Sequence, residues 1–440
     1  MSNFTRRNVL KTGAGLAATG ALASKGLIRP AFAQDMSFTP EDGASLRVLR
    51  WSKFVQGDED LFLQNVAKFT EMTGVQVQVD NESWEDVRPK AAVAANVGSG
   101  PDIIFGWYDD PHQYPDKLVD LTDLCDYLGG KYGGWFDAAQ TYGMRDGRWI
   151  GMPWGASGNC LVYRKSWAEE AGFSEWPSDT EGLLEVMRAM SANGHPPGFA
   201  LGNAVGDGNT WTHWALWSHG GKMVDENNTV VLNSPETIAA LNYVKQMYET
   251  FIPGTISWLD PNNNRAFLSG QISLTANGIS VFYAAKNSDD PAIREMADDI
   301  YHANMPIGPV GTHSELHLFT QAMVFNYTQY PNACKEFLRF IMEWDQYQPW
   351  QAAAEGYICH PLQAYDENPI WTADVRNTPY RDCIRNMLYN GYSGSLGYAS
   401  AAAMADYIVV NMFAEAASGA KSPEDAAADA HRRAERYYRI

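Results

Sequence analysis

Gly100-Pro-Asp-Ile-Ile-Phe-Gly-Trp-Tyr-Asp-Asp110 decides the fold. Pro101 stops whatever helix precedes it, Asp102-Ile-Ile-Phe105 is a short apolar run of the kind covered on both faces of a parallel sheet, and Gly106 to Asp110 close the run with two aromatics and two acids. Working back, Leu46-Arg-Val-Leu-Arg-Trp51 reads as a strand, and 59–73 as a helix with Leu61, Phe62, Val66 and Phe69 on one face and Gly74 as its stop. Val75-Gln-Val-Gln-Val79 alternates as a strand does, and 84–97 reads as a second helix ending at Gly98-Ser-Gly100. Strand, helix, strand, helix, strand in this rhythm implies a parallel sheet with right-handed crossovers. Such sheets bind ligands at the carboxyl ends of their strands, here Trp51-Ser52 and Gly106 to Asp110.

Working forward, Asp146-Gly147 turns the chain into Trp149-Ile-Gly-Met-Pro153, and Cys160-Leu-Val-Tyr163 reads as a strand leaving this lobe. A helix follows near 181–191, a strand near 199–201, a Trp-rich helix over 211–218, and a helix capped by Ser234-Pro235 that runs to about 250. Gln271-Ile-Ser-Leu-Thr-Ala276 is a strand, 311–326 is extended, and helices are expected over 332–343, 347–355, 399–417 and 423–438. Without repeats or low-complexity linkers, this reads as an α/β protein of two lobes. Residues 34–157 and 318–360 form one discontinuous lobe, and 158–317 and 361–440 form the other.

Residues 1–33 carry a different message. Thr5-Arg-Arg-Asn-Val-Leu-Lys11, a weakly apolar stretch from 13 to 23, and Ala31-Phe-Ala33 at the end have the pattern of a twin-arginine signal peptide. The expected location is the periplasm. Five of the 33 basic residues (Arg6, Arg7, Lys11, Lys25, Arg29) and none of the 52 acidic ones lie in this segment, so its removal leaves a net charge of −24. Such a field repels phosphate backbones and anionic lipid and speaks against nucleic-acid or membrane-surface partners. Cys125, Cys160, Cys334, Cys359 and Cys383 are irregularly spaced, which suits buried thiols, with Cys359–Cys383 as one possible disulfide, and gives no zinc motif.

Several fragments then fall into a known order. Phe69-Thr-Glu-Met-Thr-Gly-Val-Gln-Val77, Gly100-Pro-Asp-Ile-Ile-Phe105, Gly147-Arg-Trp-Ile-Gly-Met-Pro153, Phe267-Leu-Ser-Gly-Gln271, Pro306-Ile-Gly-Pro309, Lys335-Glu-Phe-Leu-Arg-Phe340 and the stretch from Ala416 to Ala426 resemble the extracellular solute-binding protein family of ABC importers, in its carbohydrate-binding, maltose-binding-protein-like form. The resemblance implies two hinged α/β lobes closing over a small molecule, a carbohydrate ligand, permease subunits in the inner membrane as partners, a monomer, and neither cofactor nor metal. It also implies ligand contacts at Trp107, Tyr108, Asp109 and Asp110, at Trp154 and Ser157 in the first crossing segment, at Asn209 and Trp211, and at Asn277. Ser280 and Asp406 stand where the maltose-binding pattern uses aromatic residues, which implies a narrower pocket for a smaller or more polar sugar.

Read for chemistry alone, flat apolar faces for C–H groups and bidentate partners for vicinal hydroxyls are what a sugar needs. Trp51, Ser52, Trp107, Tyr108, Asp109 and Asp110 supply both kinds at strand ends, while Tyr392 and Tyr398 flank a loop whose glycines permit close approach; Gly356-Tyr357 matches a segment that the resemblance places near the cleft. Catalytic motifs are missing: His313-Ser-Glu-Leu-His317 lacks the order of a zinc protease, and Asp260-Pro-Asn-Asn-Asn264 lacks the glycine and the final Glu of a calcium loop. The chain reads as a binding protein rather than an enzyme. An exported sugar hydrolase or lyase, or a binding protein for a polyamine, remain open readings.

Overall fold

The computed structural model describes residues 36–439, so the expected signal segment lies outside the described residues. Ser45–Trp51 is flanked by Gln76–Glu82 and Ile103–Trp107, all parallel, with helices Gln56–Thr73 and Trp84–Val97 as the crossovers. Both helices stop on glycines in the left-handed region, Gly74 (φ 78°) and Gly98 (φ 72°), whose N–H groups return to Thr70 and Ala94 carbonyls. Every residue of Ile103–Trp107 is buried. Leu318–Val324 adds antiparallel to it, and Met152–Ser157 adds antiparallel beyond that, giving a five-stranded mixed sheet.

From Ser157 the chain passes through Gly158-Asn159 straight into Cys160–Arg164, the centre of a second, three-stranded sheet with Leu274–Asn277 and Ile300–Ala303 antiparallel on either side. It returns between Ala303 and Leu318. Beside the first crossing, within the large lobe, Cys359 and Ala156 exchange backbone hydrogen bonds of 2.7 and 3.0 Å. Gly155 permits this contact: at φ 145° a Cβ would lie 2.1 Å from the Cys359 carbonyl oxygen. The two sheets with their helices are the two lobes, joined at 158–159 and between Ala303 and Leu318.

The large lobe is pinned by a buried charge. Asp58, on the first turn of Gln56–Thr73, accepts from Arg50 Nη2 (2.5 Å), Trp51 Nε1 (2.9 Å) and Trp350 Nε1 (3.0 Å). Strand, helix and the distant helix Trp344–Ala353 thus meet on one carboxylate.

Two expected elements differ. Residues 199–201 form no strand, because Gly198 and Leu201 donate to separate segments, Leu274 and Thr255, and no ladder develops. The helix expected over 399–417 is two, Tyr398–Ala405 and Ile408–Ala417, broken where Tyr407 takes φ 51°. All five cysteines are buried and unpaired, so the Cys359–Cys383 bridge is absent, and Cys359 Sγ donates to the Arg381 carbonyl at 3.2 Å.

Candidate functional site

A cavity of about 360 Å³, counting its mouth, opens where the first crossing segment passes between the sheets. Ser157, Gly158 and Asn159 form its floor, and its two sides differ in chemistry.

The large lobe supplies rings. Trp84 opens helix Trp84–Val97 and lines the cavity, with Phe54 edge-on to it (5.2 Å, 90°) and Tyr357 beyond (6.5 Å, 72°). Trp107 stacks flat behind Trp84 (4.5 Å, 12°), and Trp51 leans on both. The strand ends therefore build a second aromatic layer that holds Trp84 in place.

The small lobe supplies acids and amides. Asp207 begins helix Asp207–Ser218, and its carboxylate accepts from Asn159 Nδ2 (2.6 Å) and Asn263 Nδ2 (2.7 Å). Asp260 begins helix Asp260–Leu268 yet accepts from the backbone N–H groups of Asp207 (2.7 Å) and Gly206 (3.2 Å), so it caps its neighbour's first turn, where Gly206 offers no side chain. Burial pushes both carboxyls up, Asp260 to about 6 and Asp207 well above its ordinary value, the latter helped by the Asp260 charge. Asn277, Asn264 and Ser280 close a ring of hydrogen bonds on the same side: Asn277 Nδ2 donates to Asn264, Asn264 Nδ2 to Ser280 Oγ (2.9 Å), and Ser280 Oγ to Asn277 Oδ1 (3.3 Å).

The crossing segments are tied together beneath the cavity. The Asn159 N–H donates to His317 Nδ1 (2.9 Å), and the Glu315 carboxylate sits between His317 Nε2 (2.9 Å) and His313 Nδ1 (3.0 Å). Burial alone would raise the Glu315 carboxyl, but hydrogen bonds from both imidazoles outweigh it and hold it below its ordinary value. Glu315 and His317 are buried and brace the two crossing segments, while His313 is exposed at their edge. Contacts between the lobes include Gly57 N–H to Tyr283 Oη (3.0 Å), Tyr108 Oη to the Val205 carbonyl (3.1 Å) and Lys286 to Glu355 (2.5 Å).

A family model described as bacterial extracellular solute-binding protein matches residues 64–379, most of the chain. The chain belongs to that family. A binding protein of Brucella abortus is 21% identical over 300 residues, 66% of this chain and 69% of that one. The maltose-bound MalE3 of T. maritima superposes with a TM-score of 0.76 at 18% identity, covering 89% of this chain and 99% of that one. An Agrobacterium radiobacter ABC transporter solute-binding protein in complex with ribitol gives 0.73 at 18% identity, over 90% and 99%. These structures share the two-lobed fold.

In this family member, four of the residues expected at the site from sequence line the cavity: Ser157, Asn277, Ser280 and Tyr357. The others lie elsewhere. Trp51 and Trp107 form the backing layer, and Ser52 is exposed beyond the strand end. Tyr108 is buried at φ 46°. Asp109 is buried against Ser400, and desolvation raises its carboxyl to about 6. Asp110 accepts from the Trp107 N–H (2.9 Å) and Arg88 Nε (2.7 Å), closing the turn after the strand. Trp154 packs among Phe62, Phe105, Tyr347 and Trp350 in the core. Trp211 is buried between Phe199 and Phe251, and Asn209 bonds back to Val205 (3.2 Å). Tyr392 lies edge-on to Trp217 and Tyr398 is 66% exposed, both outside the cavity lining.

Phe54, Trp84, Asn159, Asp207, Thr210 and Asp260 line the cavity without having been expected there, Asp260 having drawn notice only as the start of a rejected calcium loop. A signal existed for one of them: Asp207 opens the helix that carries the suspected Asn209 and Trp211.

Proposed function

We propose that the protein captures a small carbohydrate between its lobes in the periplasm and delivers it to an ABC permease in the inner membrane. One observation carries this reading: a wall of rings at Phe54, Trp84 and Tyr357 faces a wall of carboxylates and amides at Asn159, Asp207, Asp260 and Asn277 across a single small cavity. Rings suit the C–H faces of a pyranose, and the acids and amides suit its hydroxyls. The moving bodies are residues 34–157 with 318–360, and 158–317 with 361–440. The protein works as a monomer, and the Arg6-Arg7 pair directs it through the twin-arginine route. Among the described residues no group of acidic, His or Cys side chains is arranged to hold a metal ion, and no cofactor is called for by the reading.

Calorimetry against monosaccharides, disaccharides and polyols tests the proposal, with product analysis after long incubation as the check on turnover. We expect saturable binding with the sugar recovered intact. Steady conversion of the sugar would favour an exported hydrolase or lyase instead.

A further inference from the structure

The cavity is rich in hydrogen-bond acceptors and has no positive charge. Asp207 and Asp260 line it with both carboxyls buried, and no Lys, Arg or His is among its lining residues. Arg88, behind the ring wall, is engaged by Asp110 at 2.7 Å. Asn159 lines the same cavity and is 4% exposed, and its Oδ1 is buried without a hydrogen-bond partner. The polar hydrogens nearby are largely committed: Thr210 donates to the Asp207 carbonyl (3.1 Å), and Asn264, Asn277 and Ser280 donate within their own ring. Burial without a counter-charge penalises the ionised form of both acids, which an ammonium would restore and a neutral solute would not.

Opposite the acids stand the three rings of Phe54, Trp84 and Tyr357, and aromatic faces attract cations. Trp84 Nε1 is also buried without an acceptor, which calls for an oxygen on the same solute. We infer that the solute carries a protonated amine, seated between the Asp207 and Asp260 carboxyls and the Phe54, Trp84 and Tyr357 rings. The inference rests on the proposal that this cavity is the solute site and narrows the class to small hydroxylated amines, such as amino sugars. An ammonium group answers the acceptors with charge-assisted hydrogen bonds, and hydroxyl oxygens on its skeleton answer Trp84. The acidic surface of the chain, net −19 over its full length, draws such a cation in.

The test is calorimetry on the wild-type protein near neutral pH, with D-glucosamine and D-galactosamine, their N-acetyl forms, the parent hexoses, and putrescine as probes. We expect at least one free amine to bind tenfold or more tighter than its acetylated and parent forms. Equal or tighter binding of a neutral form overturns the inference while leaving the carbohydrate reading intact. Binding of putrescine with every sugar silent upholds the amine and overturns the carbohydrate. Silence from every amine overturns the inference. Asp207→Asn, checked for native near-ultraviolet circular dichroism, should bring amine and neutral affinities to within about threefold of each other; an undiminished preference in the folded variant counts against the inference. The wild-type comparison stands even if that variant does not fold.

Discussion

Asp58→Ala should destabilise the protein by about 3–5 kcal/mol, because it leaves a buried guanidinium without its counter-charge. Arg50 and Asp58 are 1% and 0% exposed, so water cannot replace the lost partner. Arg50 already has Nε and Nη1 unpartnered, and its guanidinium lies over the Trp51 and Phe62 rings at 4.4 and 4.2 Å. Those cation–π contacts, worth ~0.5–2 kcal/mol each, cannot make up the deficit. The loss also frees Trp51 Nε1, 2.9 Å from the Asp58 carboxylate, and leaves Trp350 Nε1 only the Asp58 backbone carbonyl at 3.1 Å. Denaturant titration with an unchanged slope would measure it. A change below about 1 kcal/mol would mean that Arg50 finds another partner and that the strand-to-helix tie is dispensable. The consequence reaches the cavity, since helix Trp344–Ala353, held here through Trp350, leads directly to Tyr357.

Asp207→Ala should weaken solute binding by about thirtyfold to several thousandfold, the span that corresponds to ~2–5 kcal/mol for truncating one side of a buried, hydrogen-bonded charged contact. The carboxylate is held from behind by Asn159 and Asn263 at 2.6 and 2.7 Å, so its orientation toward the solute is set before binding. Trp217→Ala is the control. Trp217 is 3% exposed and packs against His213 and Tyr392 away from the cavity lining, so its removal should lower thermal stability through a core cavity and leave affinity unchanged. Wild-type affinity in folded Asp207→Ala would move the solute site out of this cavity.

The parallel part of the large sheet is legible in the sequence because its signals are local: an unbroken apolar run at 102–105, alternation at 75–79, and glycines that stop two helices. The break at Tyr407 is not, since the Ala-rich, apolar periodicity runs through it unchanged. At the cavity, Ser157, Asn277 and Ser280 were reached through the family resemblance, whereas the strand ends themselves pointed to Trp51 and Trp107, which lie one layer behind its lining. Asp260 reads as the start of a helix and is one, but its carboxylate caps the helix beginning at Asp207, a contact only the folded chain makes. Trp84 and Trp107 are stacked faces of one slab, and no local pattern says which of two stacked rings meets the cavity.

Solution scattering with and without the tightest-binding sugar or amine bears most directly on the central claim, that the two lobes close over a solute in the cavity beside Asn159. Contacts such as Gly57 to Tyr283 and Lys286 to Glu355 join the lobes, and opening must break them. We expect the radius of gyration to fall on saturation, and to stay at its open value in Asp207→Ala at the same solute concentration. An identical profile for the wild-type protein at zero and saturating solute would contradict hinge closure.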